Sequence, residues 1–299
     1  MTEQLKFTER AVDAFSSLTG WVSKHQLMLK LIAGSLFLAA CSWAFAQLGI
    51  NPMELKLVPF LVLFFLLSPL SLVYGGYGLI MLANSSGTSM RPGFAMRTSA
   101  WAQLAEALPL PGGAMVRTGA LMKAGVGTKR SAWLVINTAI LWISLAAMFS
   151  GMVVYQQSRE LGLILGVPAT ALTAASLGWI IFDAGWAQMA LTLAHRLAGL
   201  LLMALRLQIS FAILDHAVDL ESTMPFALAS IAGSASSIAP AGLGVSEILA
   251  AVMAGSVAVA PALALLAVAL NRLIALASSA ASLFLWELPK FLRGGKVYG

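Results

Sequence analysis

The chain has 299 residues, of which 60% are hydrophobic and only 10% charged, with a mean hydropathy of +0.88 and a formal net charge of +6. A soluble domain carries roughly 25% charged residues, so this composition excludes an ordinary soluble domain and points to a polytopic membrane protein. The positive charge is not a nucleic-acid footprint, because the basic residues sit in short loops between apolar stretches, where they report membrane topology.

Met1 to Lys30 is too polar, and too long before its first apolar run, to read as a cleaved signal peptide. Residues 1–26 are expected as a cytoplasmic segment whose apolar residues are Leu5, Phe7, Val12, Phe15, Leu18 and Trp21. They suit either a membrane-surface helix or a solvated tail. A spanning helix needs about 20 apolar residues. By that measure the spans are 27–48, 57–83, 132–154, 161–182, 197–214 and 262–288. Pro69 and Gly75-Gly76 interrupt the second. Asn84 to Arg97 reads as a polar loop, and Gly185 to Arg196 as either an interfacial helix or an extension of a neighbour. A basic tail, 289–299, follows the last span. The single Cys41 leaves no internal disulfide and no Cys-based metal site.

Two apolar stretches are too short to cross and are broken near their middles. The first, 98–122, is broken at Pro109, Pro111, Gly112 and Gly113. The second, 224–257, is broken at Pro240, Gly242 and Gly244. Proline removes a backbone donor, and glycine permits angles closed to other residues. A broken backbone at membrane depth is tolerated only when buried in protein or lining a wet cavity. These stretches therefore read as re-entrant helical hairpins, with Glu247 in the first turn of the last half-helix. A kinked helix with closely packed glycines is the plainer alternative.

Putting the N-terminus inside places every strongly basic segment on one side. The order span, span, hairpin, span then occurs twice, over 27–154 and 161–288, with the second copy inverted. The expected fold is all-α, with about six spanning helices plus two opposed re-entrant hairpins. Inverted repeats with broken helices meeting near the midplane are a transporter architecture.

Ionisable groups inside apolar stretches cost about 2.5–3.5 kcal/mol each on insertion scales, which makes them functional candidates. They are Glu106 and Arg117 around the first hairpin, Arg206 in the fifth span, Glu247 after the second break, and Arg272 beside Asn271 in the sixth span. Three arginines against two carboxylates leave a cationic surplus suited to phosphate, which a guanidinium meets with planar, bidentate donors. Half-helix N-termini after Gly113 and Gly244 would add backbone donors. Arg117, Arg206, Glu247, Asn271 and Arg272 are thus the expected substrate-binding set. The plainer reading is internal pairing, Glu247 with Arg272 and Glu106 with Arg117. A carboxylate that holds an arginine for a ligand would satisfy both.

Enzyme signals are poor. His25, His195 and His216 are scattered near span ends, with no metal-binding spacing. No phosphate-cradling glycine loop with a following Lys-Ser/Thr occurs. Asp215-His216 resembles half of a catalytic pair, although such residues are more often a solvated loop. No enzymatic activity, cofactor or metal is expected.

The segment Pro240-Ala241-Gly242-Leu243-Gly244-Val245-Ser246-Glu247, followed by Asn271-Arg272-Leu273-Ile274, resembles the flippase-like transmembrane region of lysylphosphatidylglycerol synthases and its stand-alone relatives. Leu110-Pro111-Gly112-Gly113 with Arg117 is similar to that family's first hairpin. The resemblance runs from about Leu57 to Leu288. The chain departs from the family pattern at Ser246, which replaces an arginine, at Ala241, which replaces a glycine, and in the first hairpin, which has no acidic residue after its glycines. The resemblance implies lipid translocation between leaflets. No aminoacyl-transfer domain follows, so synthase activity is not implied.

The resulting expectation is a multi-pass inner-membrane protein of a bacterial-type cell, with both termini cytoplasmic. It moves an anionic phospholipid or lipid-linked precursor between leaflets and has no nucleic-acid partner. A carrier of a small anion or metabolite, and a non-transporting subunit that docks a lipid-modifying enzyme, stay open, as do a homo-oligomer and a membrane partner.

Overall fold

The structure is a computed structural model that describes residues 26–51, 54–106, 112–236 and 244–292. Among them every regular element is helical. The breaks at Pro109, Pro111, Pro240 and Gly242 lie outside the described residues, as does most of the N-terminal segment.

Helix α1 is Gln26–Leu48 and α2 is Leu57–Asn84. The Pro69 that interrupts the sequence pattern does not end α2. A π-wound turn, Leu63–Leu67, precedes it. Such a turn absorbs the backbone bond that proline cannot make. Helix α3, Pro92–Ala105, begins six residues before the expected Thr98. Arg91 is extended, and Pro92 occupies the first helical turn, where its missing N–H costs nothing. Arg97 therefore belongs to a helix rather than a loop, and pairs with Glu287 at 3.4 Å. Helix α4 is Gly112–Lys123 and α5 is Thr128–Tyr155.

Helix α6, Arg159–Ile213, has 55 residues. Straight, it would be about 80 Å long, far more than the roughly 30 Å of a bilayer core. It breaks at Gly185, where φ is 84° and ψ 172°. The ambiguous stretch after Gly185 is thus the first part of the second arm, 186–213. The first arm, 159–184, lies along α5: Thr173 donates to Ser144 at 2.9 Å. Arg130 at the start of α5 grips Asp183 with two bonds of 2.8 and 2.9 Å, which anchors the chain just before the break.

Helices α7, Met224–Ser236, and α8, Val245–Ala254, pack on each other, as α3 and α4 do. Helix α9, Pro261–Leu292, is the central element. It touches α1, α2, α3, α6 and α8, and 72% of its most apolar stretch is buried, against 17% in α2.

Among the described residues, four helices are long and apolar enough to cross a membrane: α2, α5, α6 and α9. Their outer faces carry large apolar side chains, including Phe65, Ile164, Phe182 and Phe284. Water penalises so continuous an apolar surface, whereas lipid accommodates it.

The Gly185 angles fall in a region open essentially to glycine, where other residues cost about 1–3 kcal/mol. Nothing lies within 4 Å of where its Cβ would sit. Gly185→Ala is therefore expected to lower the detergent-solubilised protein's Tm through backbone strain alone. An unchanged Tm would show that the break adopts other angles.

Candidate functional site

The buried charge collects around the middle of α9. Arg272 projects toward the start of α8. Its guanidinium donates to Ser246 Oγ at 2.7 Å and to Glu247 Oε1 at 3.3 Å. Glu247 is 1% exposed. Its other oxygen, Oε2, accepts the Gly244 backbone N–H at 2.7 Å. Gly244 has a φ of 86°, an angle glycine adopts without strain, and it caps α8. One carboxylate thus ties off an otherwise unpaired helix-start donor and neutralises a buried cation. Gly233 on α7 makes this arrangement possible, because a Cβ there would overlap Ser246.

One helix away, Arg206 on α6 is buried without a carboxylate in contact. Its Nε donates to Asn271 Oδ1 at 3.1 Å, one terminal nitrogen to Ser71 Oγ at 3.1 Å, and the other to the Asn271 carbonyl at 3.3 Å. These partners use three of the five guanidinium donors. Arg206 lines a cavity of about 70 Å³ with Gln103, Glu106, Met203, Ser230, Ser234, Asn271 and Arg272 and the apolar Val268, Ala275 and Leu276. A single water needs about 10–15 Å³, so the cavity takes a few small groups.

Of the expected residues, Arg206, Asn271 and Arg272 line this cavity, and Glu247 lies behind Arg272. Arg117 does not line it. Arg117 donates to Glu106 Oε1 at 2.9 Å, and it is Glu106 that reaches the cavity. Gly112 and Gly113 press against Ala105 and Glu106, where a Cβ would collide with the end of α3. Both internal pairs, Glu247–Arg272 and Glu106–Arg117, are formed. Sequence reasoning missed Gln103, Ser71, Ser230 and Ser234. Serines in apolar helices read as packing residues, and nothing in their spacing marks them as cavity lining.

A second, larger space of about 510 Å³ runs between α3 and α4. Its walls are almost wholly apolar: Phe94, Trp101, Leu104, Ala105 and Val116, with Lys123 at the edge. The last turn of α3 faces both spaces. Leu104 and Ala105 face the groove, while Gln103 and Glu106 face the polar cavity.

Asp215 pairs with Lys56 at 3.1 Å rather than serving His216, whose Nδ1 meets the Leu214 carbonyl oxygen at 2.8 Å. Among the described residues no three His, Cys, Asp or Glu side chains converge.

The fold and its buried charges define the class: an all-helical membrane protein with a small polar cavity inside the helix bundle. Comparisons of the chain with family models, with curated proteins and with solved structures find no match.

Removing one partner of a buried ion pair strands the other, at a cost of about 3–5 kcal/mol, whereas replacing both can be neutral. Glu247→Ala is thus expected to destabilise the protein by about 3 kcal/mol. Adding Arg272→Met should recover most of that loss in a double-mutant cycle read by denaturation in detergent. Additive losses would contradict the pairing.

Proposed function

We propose that the protein moves an anionic phospholipid or lipid-linked precursor between the leaflets of a bacterial-type inner membrane. The observation that carries this reading is the last turn of α3, which separates an apolar groove from a cationic cavity. An amphiphile needs both environments within one helix width. The acyl chain would occupy the groove, with Lys123 at its edge, and the phosphate would meet Arg206 and Arg272. A planar guanidinium matches phosphate oxygens.

Six crossings are assigned to α1, α2, α5, the two arms of α6, and α9. The pairs α3–α4 and α7–α8 are assigned as re-entrant hairpins entering from opposite sides. Their helices have 14, 12, 13 and 10 residues, and each falls short of the roughly 20 needed to cross. Ile248 and Val252 give α8 an exposed apolar outer face, which suits membrane depth. On this reading α1 to α5 and α6 to α9 are inverted copies, and both termini are cytoplasmic. The hairpins supply opposite walls of the cavity: Gln103 and Glu106 from one, Ser230 and Ser234 from the other. A headgroup enters as the hairpins part. Arg117 keeps Glu106 from closing the site by pairing with Arg206 or Arg272. No bond is made or broken in this reading.

The small cavity volume favours a second reading, a carrier of a small soluble anion. Liposomes containing the protein separate the two. The lipid reading predicts protein-dependent transfer of a fluorescent anionic phospholipid between leaflets. It also predicts at least a tenfold loss of that transfer in folded Arg272→Ala and Arg206→Ala proteins. Efflux of trapped glycerol phosphate without lipid transfer would establish the carrier instead. Unchanged lipid transfer in Arg272→Ala would remove the assigned site.

A further inference from the structure

The second arm of α6 holds another cation that the cavity above does not use. Arg196 lies ten residues before Arg206, about 15 Å away along the helix. Its guanidinium stands over the Trp142 ring, 5.7 Å from the centroid. The Tyr74 hydroxyl lies beside it, and Arg117 is close enough to act on it electrostatically. The Tyr74 ring is fixed: it stacks on His195 with centroids 4.0 Å apart and rests over Gly199, where a Cβ would overlap it.

Three enclosed groups here have no hydrogen-bond partner among the described residues: Arg196 Nε, Trp142 Nε1 and the Tyr74 hydroxyl. No carboxylate among those residues pairs with Arg196. Buried donors without acceptors are unfavourable, and an unneutralised cation more so. Stacking on Trp142 offsets part of this through the ring face. It leaves the indole N–H and the guanidinium Nε–H without an acceptor. Unmet donors from three helices, with two arginines nearby, complement an anion that offers several acceptor oxygens.

We propose that Arg196, Trp142, Tyr74 and Arg117 form a second anion site, for a phosphoryl group. The group belongs either to a lipid headgroup or to a soluble phosphate ester. As a further station on the lipid's path, this site rests on the function proposed above; as an anion site, it stands alone.

The test is thermal unfolding of the full chain in detergent at constant ionic strength. Glycerol phosphate and phosphatidylglycerol are the probes, with chloride and phosphatidylcholine as controls. The wild type is expected to gain stability with at least one probe. Arg196→Gln and Trp142→Phe should each weaken the apparent affinity at least tenfold. Arg272→Ala should retain an Arg196-dependent response, which separates this site from the cavity. A response to glycerol phosphate assigns a soluble ester, and a response to phosphatidylglycerol alone assigns a headgroup. No response by the wild type, or a wild-type response in Arg196→Gln, overturns the proposal. If Arg196→Gln does not fold, Trp142→Phe decides alone, because it keeps an aromatic face under Arg196 and removes the indole N–H donor. Unchanged affinity in that variant overturns the site.

Discussion

The structure depends most on what the Glu247 carboxylate does at the start of α8. One oxygen takes the Gly244 N–H and the other takes Arg272. Without the first contact, the helix start has an orphan donor. Without the second, a cation stands unpaired in the middle of the most enclosed helix. Water in the small cavity would offset the second loss only in part, because burying an unpaired charge is costly. The same carboxylate therefore fixes where α8 begins and where Arg272 points. The geometry of the cavity follows, because Arg272 and Asn271 are adjacent on α9 and Asn271 in turn holds Arg206.

Around that centre the helices pack by surface fit rather than by hydrophobic transfer, since lipid is as apolar as the helices. Small residues mark the closest approaches. Gly151 on α5 faces Gly166 on α6, and Gly233 on α7 receives Ser246. Polar groups act as local ties: Ser150 donates to the Met224 carbonyl at 2.9 Å, and Ser279 to Gln103 at 2.9 Å. The second of these links α9 to the helix that separates the groove from the cavity.

Much of this was legible in the sequence because hydrophobic length and charge are local signals. Glu247 in a first turn, and the glycines that begin α4, followed from chain order alone. Helix bounds were harder. Pro92 starts α3 early because proline is at home in a first turn, although the polar residues around it resemble a loop. Nor could a sequence decide whether the stretch after Gly185 continues a neighbouring helix, since that depends on one backbone angle. Tertiary partners were least legible. Ser71 and Asn271 reach Arg206 from 135 and 65 residues away, and no local pattern announces them. Arg117 read as a direct ligand because its charge was visible, while its pairing with Glu106, and the placement of Glu106 at the cavity, depend on how α3 meets α4.

The central claim is that Arg272 and its neighbours hold an anionic headgroup. Native mass spectrometry with lipid extraction, run on gently purified wild type beside Arg272→Ala, tests it most directly. The account predicts a defined anionic lipid retained by the wild type and lost from the variant. The same lipid on both proteins, or none on either, would make Arg272 a structural charge and contradict the account.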